Sequence, residues 1–325
     1  MPTLPMISTR SLGKTGIQVT PIGLGVMELS GGGGWIGRAF PVIPQEDKNA
    51  IIQAALDGGI NWFDTAELYG AGVSERSLAI GLKAAGKHPG EVVVATKWFP
   101  ILRTARNIPR TIENRLHFLD GFGVDLYYIH EPYSFSSPEA EMNAMADLVE
   151  AGKIRSAGVS NFNADRMRRA SNALEKRGLM LATNQVRYSL VDRKIETDGT
   201  LEAAKELGIT ITAYTPLGSG LLTGKYHKNP DLLKSKSFFW RRQIQRQMEA
   251  SRPLVAALEE IALKYQATAA QVALNWIIWF NGELVVTIPG ATKPKQAADN
   301  AGAMRFRLSE DELSRLDVLS RSFQK

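Results

Sequence analysis

The sequence predicts an α/β chain folded as a (β/α)8 TIM barrel with an N-terminal β-hairpin and extra helices, and three observations lead there. Short β-rich runs recur eight times: "PIGLGV" from 21, "INWF" from 60, "EVVVATK" from 91, "VDLYYIH" from 124, "KIRSAGVSN" from 153, "LATNQV" from 181, "GITITAY" from 208 and "ELVVTIPG" from 283. Amphipathic segments such as "PQEDKNAIIQAALDGG", "SERSLAIGLKAAG" and "TLEAAKELG" separate them, several ending on the glycine that closes a helix. Strands alternating with helices imply parallel βαβ crossovers, and eight repeats close a barrel. Lastly, "GLGVMELSGGGG" offers no G-x-G-x-x-G in a strand-to-helix turn, the fingerprint expected of the competing doubly wound dinucleotide sheet.

Taken in order, "RSLGKTGIQV" carries a turn signal from Gly13 to Gly16, which predicts a hairpin over 8–20 plugging the barrel's bottom. The glycine run Gly31 to Gly34 reads as a loop. The interval between Tyr214 and the last strand is roughly twice as long as any other repeat, and structureless loops of such length are usually functional. Its 215–250 stretch, including "TPLGSGLLTGKYHKNPDLLKSKSFFWRRQ", is too polar and irregular for core, and is expected to be a long cofactor and substrate loop. Helices "RPLVAALEEIALKYQ" and "AAQVALNWIIWF" follow it. A C-terminal helix is expected over 309–321, capped by Ser309 with Glu312 in the capping-box position. No linker divides the chain, so residues 1–325 are expected to form one barrel domain, a length that α/β barrels reach as a unit.

The net charge of +6 and pI near 9.4 raise the question of nucleic acid. The basic residues are scattered among acids outside 103–115, 166–169 and 234–246, and no recognition module accompanies them, so no nucleic-acid partner is expected. A mildly basic surface also attracts an anionic cofactor or substrate. With 0 cysteines the chain has no disulfides, thiolate nucleophiles or cysteine metal sites. "MPTLPMISTRSLGK" has no apolar signal region, and "AAQVALNWIIWF" is too short to span a bilayer and carries Gln271 and Asn275. A cytoplasmic protein without membrane contact is the expectation.

Barrel enzymes assemble their sites at the C-terminal ends of the strands. Asp64 follows the second run, Lys97 the third and His130 the fourth, with Tyr69 on the loop just past Asp64. Neighbouring strands lie about 4.8 Å apart, so these side chains can meet at one mouth. A phenol ordinarily ionises near pH 10, and a neighbouring ammonium is expected to lower that value. Asp64 paired with Lys97 would orient the cation and offset its burial. A neutral His130 can hydrogen-bond a carbonyl oxygen or relay a proton. Tyr69 then becomes a general acid. Singly, each has a plainer reading: Asp64 and Thr65 as helix caps, Tyr69 as filler, Lys97 as a solvated loop lysine and His130 as a core histidine.

The chain resembles the aldo-keto reductases, NADPH-dependent carbonyl reductases on a (β/α)8 barrel, over nearly its whole length. "RSLGKTGIQVTPIGLG", "GINWFDTAELYG", "SERSLAIGL", "VVVATK", "VDLYYIHEP", "GKIRSAGVSNF", "NQVRYSL", "ITAYTPLGSGLLTGKY" and "VTIPGATKPKQAADNAGA" carry the likeness. The resemblance implies a catalytic tetrad of Asp64, Tyr69, Lys97 and His130. It also implies that Ser160, Asn161 and Gln185 hold the nicotinamide carboxamide while Tyr214 stacks on the ring. The main chain around Leu217, Gly218 and Ser219 would cover the pyrophosphate, with Lys225 nearby. Phosphate and adenine contacts fall on Gly290, Thr292, Lys293, Gln296, Asp299 and Asn300. Relatives often carry two basic residues after "IPGA"; here Thr292 stands before Lys293, and because Lys293 still supplies a point charge to a 2′-phosphate and Thr292 a hydrogen bond, NADPH is expected with NADH as an alternative.

A small-molecule aldehyde, ketone or sugar is the expected substrate, with Met27, Trp35, Trp98, Phe99, Glu131, Tyr133 and Tyr188 as pocket candidates and no metal. The "SFFWRR" stretch at 237–242 reads equally as a lid or as an oligomer contact, so monomer and homo-oligomer both stand. Two other readings stay open: a redox-sensing regulatory subunit, and a Schiff-base aldolase using Lys97 as nucleophile.

Overall fold

The computed structural model describes residues 7–34, 41–235 and 238–324. Two short strands, β1 (Arg10–Ser11) and β2 (Gln18–Val19), pair antiparallel with Arg10 opposite Val19. Gly13 and Gly16 both take positive φ in the turn between them. Eight parallel strands follow: β3 (Leu24–Gly25), β4 (Trp62–Asp64), β5 (Val93–Trp98), β6 (Val124–Ile129), β7 (Ile154–Ser160), β8 (Leu181–Arg187), β9 (Thr210–Tyr214) and β10 (Val285–Thr287). They pair in sequence order. Bridges from Ile22 to Thr287 and from Gly25 to Gly290 join the two edges, so the sheet closes into a (β/α)8 barrel.

Period-2 alternation divides the core in two and sets which side chains face the mouth. Trp62, Val93, Ala95, Leu126 and Tyr128 point inward and pack with Leu12, Ile17 and Val19 of the hairpin. The hairpin is tied in by Gly13, whose N–H donates to Thr210 Oγ1 at 2.7 Å, and by the Trp62 indole, which donates to the Thr20 carbonyl at 2.9 Å. Phe63, Val94, Trp98, Tyr127 and Ile129 belong to the larger cluster between sheet and helices. By the same alternation Asp64, Lys97 and His130 follow the inward set.

The segment after β9 departs from the expected loop over 215–250. Short helical turns at Gly218–Thr223, Lys225–Lys228 and Pro230–Ser235 lead into a helix spanning Phe238–Lys264. That helix holds Pro253 in its interior, a position that in sequence reads as a helix start. Glu310–Ser320 forms the final described α-helix, with a reciprocal capping box between Ser309 and Glu312. Among the described residues no helix is long and apolar enough to cross a membrane.

Candidate active site

Asp64, at the last position of β4, is almost fully buried, and Lys97 on β5 is completely so. The Lys97 ammonium donates to Asp64 Oδ1 and, at 2.8 Å, to the Thr65 carbonyl. Asp64's other oxygen accepts from Gln185 Nε2 at 2.9 Å. Burial pushes the Asp64 carboxyl up and the Lys97 ammonium down, and each restrains the other's shift.

The loop after β4 brings Tyr69 over this pair, with Lys97 Nζ 5.0 Å from the centroid of its ring. His130, directly after β6, meets the Tyr69 ring edge-on, centroids 5.7 Å apart at 83°. Among the described residues His130 Nδ1 is buried without a hydrogen-bond partner, and burial, then Lys97, holds the imidazole well below its ordinary value, hence neutral. The expected lowering of the Tyr69 phenol is corrected. Burial first, then the charges of Asp64, Glu28, Tyr214 and Glu131, push it well above its ordinary value. The Lys97 ammonium is paired with Asp64, which offsets its pull on the phenol.

At the ends of β7, β8 and β9 lies a second group. Ser160 stands opposite Gln185 in register, and Asn161, at φ +59°, donates its N–H to the Gln185 carbonyl at 2.9 Å. The Tyr214 hydroxyl donates to Asn161 Oδ1 at 3.1 Å.

The family model for the aldo/keto reductase family matches residues 21–321. The chain belongs to the aldo/keto reductase family. It is therefore an oxidoreductase that works with NAD(P)H. It is 34% identical to aldo-keto reductase str7 of Strobilurus tenacellus, covering 97% of this chain and 92% of the relative. Among solved structures it resembles a thermostable aldo-keto reductase in complex with the inhibitor epalrestat, at TM-score 0.74 and 30% identity, covering 96% and 99% of the two chains. It also resembles an aldo-keto reductase from Klebsiella pneumoniae in complex with NADPH, at TM-score 0.73 and 25% identity, covering 97% and 96%.

The surroundings of this candidate site fit a dinucleotide. Gly218, Ser219 and Gly220 take positive φ in succession, and Gly218 N–H is already bonded to Thr215 O at 3.0 Å, so the turn is preformed. A Cβ at Gly218 would come within 2.6 Å of Val191, so only glycine fits. Lys225 is exposed beside Gly220. After β10, Lys293 is exposed at the N-cap of the helix Pro294–Gly302, where a positive helix end and an ammonium suit a phosphate. Thr292 N–H and hydroxyl both donate to Gln296 Oε1, at 2.7 and 3.0 Å. Asp299 is paired with Lys295 at 2.7 Å, and Asn300 donates to the Gly290 carbonyl at 3.2 Å, so these two chiefly brace the helix.

The pocket candidates separate. Phe99 faces His130 with centroids 6.4 Å apart, Met27 and Glu131 are half-buried, and Tyr133 is largely exposed. Trp98 and Tyr188 are corrected: both are fully buried and face the helices. The Trp98 indole donates to Asn107 Oδ1 at 2.9 Å, and the Tyr188 hydroxyl donates to Glu196 at 2.6 Å. Each sits one residue past an inward-facing position, so the pleat turns it outward. Trp35 and the side chains of Phe238, Phe239 and Trp240 lie outside the described residues. Glu28, unforeseen, follows β3 closely enough for its field to reach Tyr69, and a Cβ on Gly290 would collide with its carboxylate. The strand-end rule that picks out Asp64 would have found it.

Proposed function

We propose that this enzyme reduces an aldehyde or ketone to the alcohol, with NADPH as preferred cofactor and Tyr69 as proton donor. When bound, the cofactor supplies a hydride to the carbonyl carbon. The Tyr69 O–H bond breaks as a new one forms on the carbonyl oxygen, and the phenolate left behind regains its proton from solvent. The observation that carries this reading is the Lys97 ammonium 5.0 Å from the Tyr69 ring centroid, held there by Asp64 and the Thr65 carbonyl. A phenol raised above its usual range stays protonated at neutral pH, as a donor must, while the ammonium stabilises the anion formed on transfer. Neutral His130 is positioned to hydrogen-bond the substrate oxygen.

Lys97 has no solvent exposure and already donates to two protein oxygens, which counts against its attacking a carbonyl to form a Schiff base. Exposed Lys293 beside Thr292 favours the 2′-phosphate of NADPH as a point-charge partner. The test is a spectrophotometric screen of NADPH and NADH across aldehydes, ketones and sugars. Faster oxidation of NADPH on adding a carbonyl is expected. No oxidation with any of them, or a borohydride-trapped adduct on Lys97, would overturn the proposal.

A further inference from the structure

Glu67 lies on the loop between β4 and the helix Val73–Ala84, two residues ahead of Tyr69. Its N–H donates to the Lys97 carbonyl at 3.1 Å. Its carboxylate turns the same way. Oε2 accepts from the Phe99 N–H at 3.1 Å, and Oε1 accepts from Arg103 Nη1 at 2.8 Å. The same Arg103 Nη1 also donates to the Phe99 carbonyl, one residue past β5, at 3.2 Å.

Behind this contact runs a buried chain of charges. Arg115 Nη1 is 3.6 Å from Glu67 Oε1, and Arg115 Nε is 3.0 Å from Glu75 Oε1. Glu75 Oε1 in turn accepts from the hydroxyl of Thr96, next to Lys97, at 2.7 Å. The loop that carries Tyr69 is therefore fastened to β5 from both sides: Lys97 takes the Thr65 carbonyl on the inner face, and Glu67 takes Phe99 on the outer. Phe99 is also the ring that stands beside His130. A simple ion pair would need only Arg103. Spending one carboxylate oxygen on a main-chain N–H two residues past Lys97 instead fixes the distance between the two strand ends.

We propose that Glu67 is a positioning residue, whose carboxylate locks the Tyr69 loop onto the end of β5 and so sets the phenol against Lys97 and His130. The inference rests on Tyr69 as the proton donor. Loosening the lock moves the phenol without touching the cofactor contacts, and misplacement of about 1 Å can cost about 100-fold in rate.

The test compares Glu67→Ala and Glu67→Gln with Tyr69→Phe, using NADPH and an aldehyde that the wild type reduces. The readouts are kcat, KM, NADPH affinity by tryptophan quenching and the solvent deuterium isotope effect on kcat. Rates are expressed per NADPH-binding site, so unfolded protein does not count. For Glu67→Ala, kcat should fall by about 10- to 100-fold while KM and NADPH affinity hold, and the isotope effect should rise as proton transfer becomes limiting. Glu67→Gln keeps an acceptor for the Phe99 N–H and should shift the same readouts less; it carries the test if the alanine variant does not accumulate. Wild-type kcat per site, or a lower kcat with an unchanged isotope effect, would overturn the proposal while an inactive Tyr69→Phe leaves the proton-donor reading standing. An active Tyr69→Phe would overturn both.

Discussion

Replacing Lys97 with Met keeps the length of the side chain and removes its charge. Asp64 is then left almost fully buried, with Gln185 at 2.9 Å as its remaining side-chain hydrogen bond among the described residues. At an effective dielectric of about 20, two charges about 4 Å apart attract by about 4 kcal/mol, and breaking a buried pair typically costs about 3–5 kcal/mol. Lys97→Met should lose that much in denaturant unfolding at pH 7, visible as a lower midpoint at unchanged slope. Asp64→Asn combined with Lys97→Met removes both charges and should cost far less than the sum of the single changes. The pH dependence fixes the sign. Without its cation, Asp64's folded value stays above its ordinary 3.8 through burial. The folded state then holds the proton more tightly than the unfolded one, so the deficit is absent below about pH 4 and grows as pH rises. A loss under about 1 kcal/mol, the range of an exposed pair, would refute the reasoning, as would a deficit that deepens on acidification.

Two further outcomes follow from buried groups. Burial raises Glu75 from 4.5 to about 7 against the opposing pull of Arg115, so this carboxyl contributes stability below pH 4.5 that is lost as pH rises towards 7. Relative to Glu75→Gln, the wild type should lose about 3 kcal/mol of unfolding free energy between pH 4.5 and 8, and a flat difference across that window would count against the assignment. Trp98→Ala should cost about 3–5 kcal/mol of stability with carbonyl KM unchanged; a raised KM in an equally stable variant would return Trp98 to the pocket.

The barrel was legible because eight β-rich runs and their intervening helices leave a strong periodic signal, and Asp64, Lys97 and His130 could be placed together from strand-end position alone. The same alternation reaches one residue further along β5. It places Lys97 inward and thereby sends Trp98 outward, so the pocket candidates Trp98 and Tyr188 face the helices instead. The helix from Phe238 is not legible in the sequence because Pro253 reads as a start, whereas the observed helix carries it internally. The acidity of Tyr69 lay out of reach for a different reason. Its direction depends on burial and on the charges of Asp64, Glu28, Tyr214 and Glu131, and a sequence shows neither depth nor field. The same holds for Glu67, whose partners Phe99, Arg103 and Arg115 lie 32 or more residues away.

The most direct test of the account is Tyr69→Phe, which removes one hydroxyl and keeps the ring beside Lys97 and His130. Loss of a positioned proton donor is worth about 100- to 10,000-fold. Carbonyl reduction should fall by that factor while NADPH still quenches tryptophan fluorescence at wild-type affinity. Wild-type turnover in this variant would contradict the account.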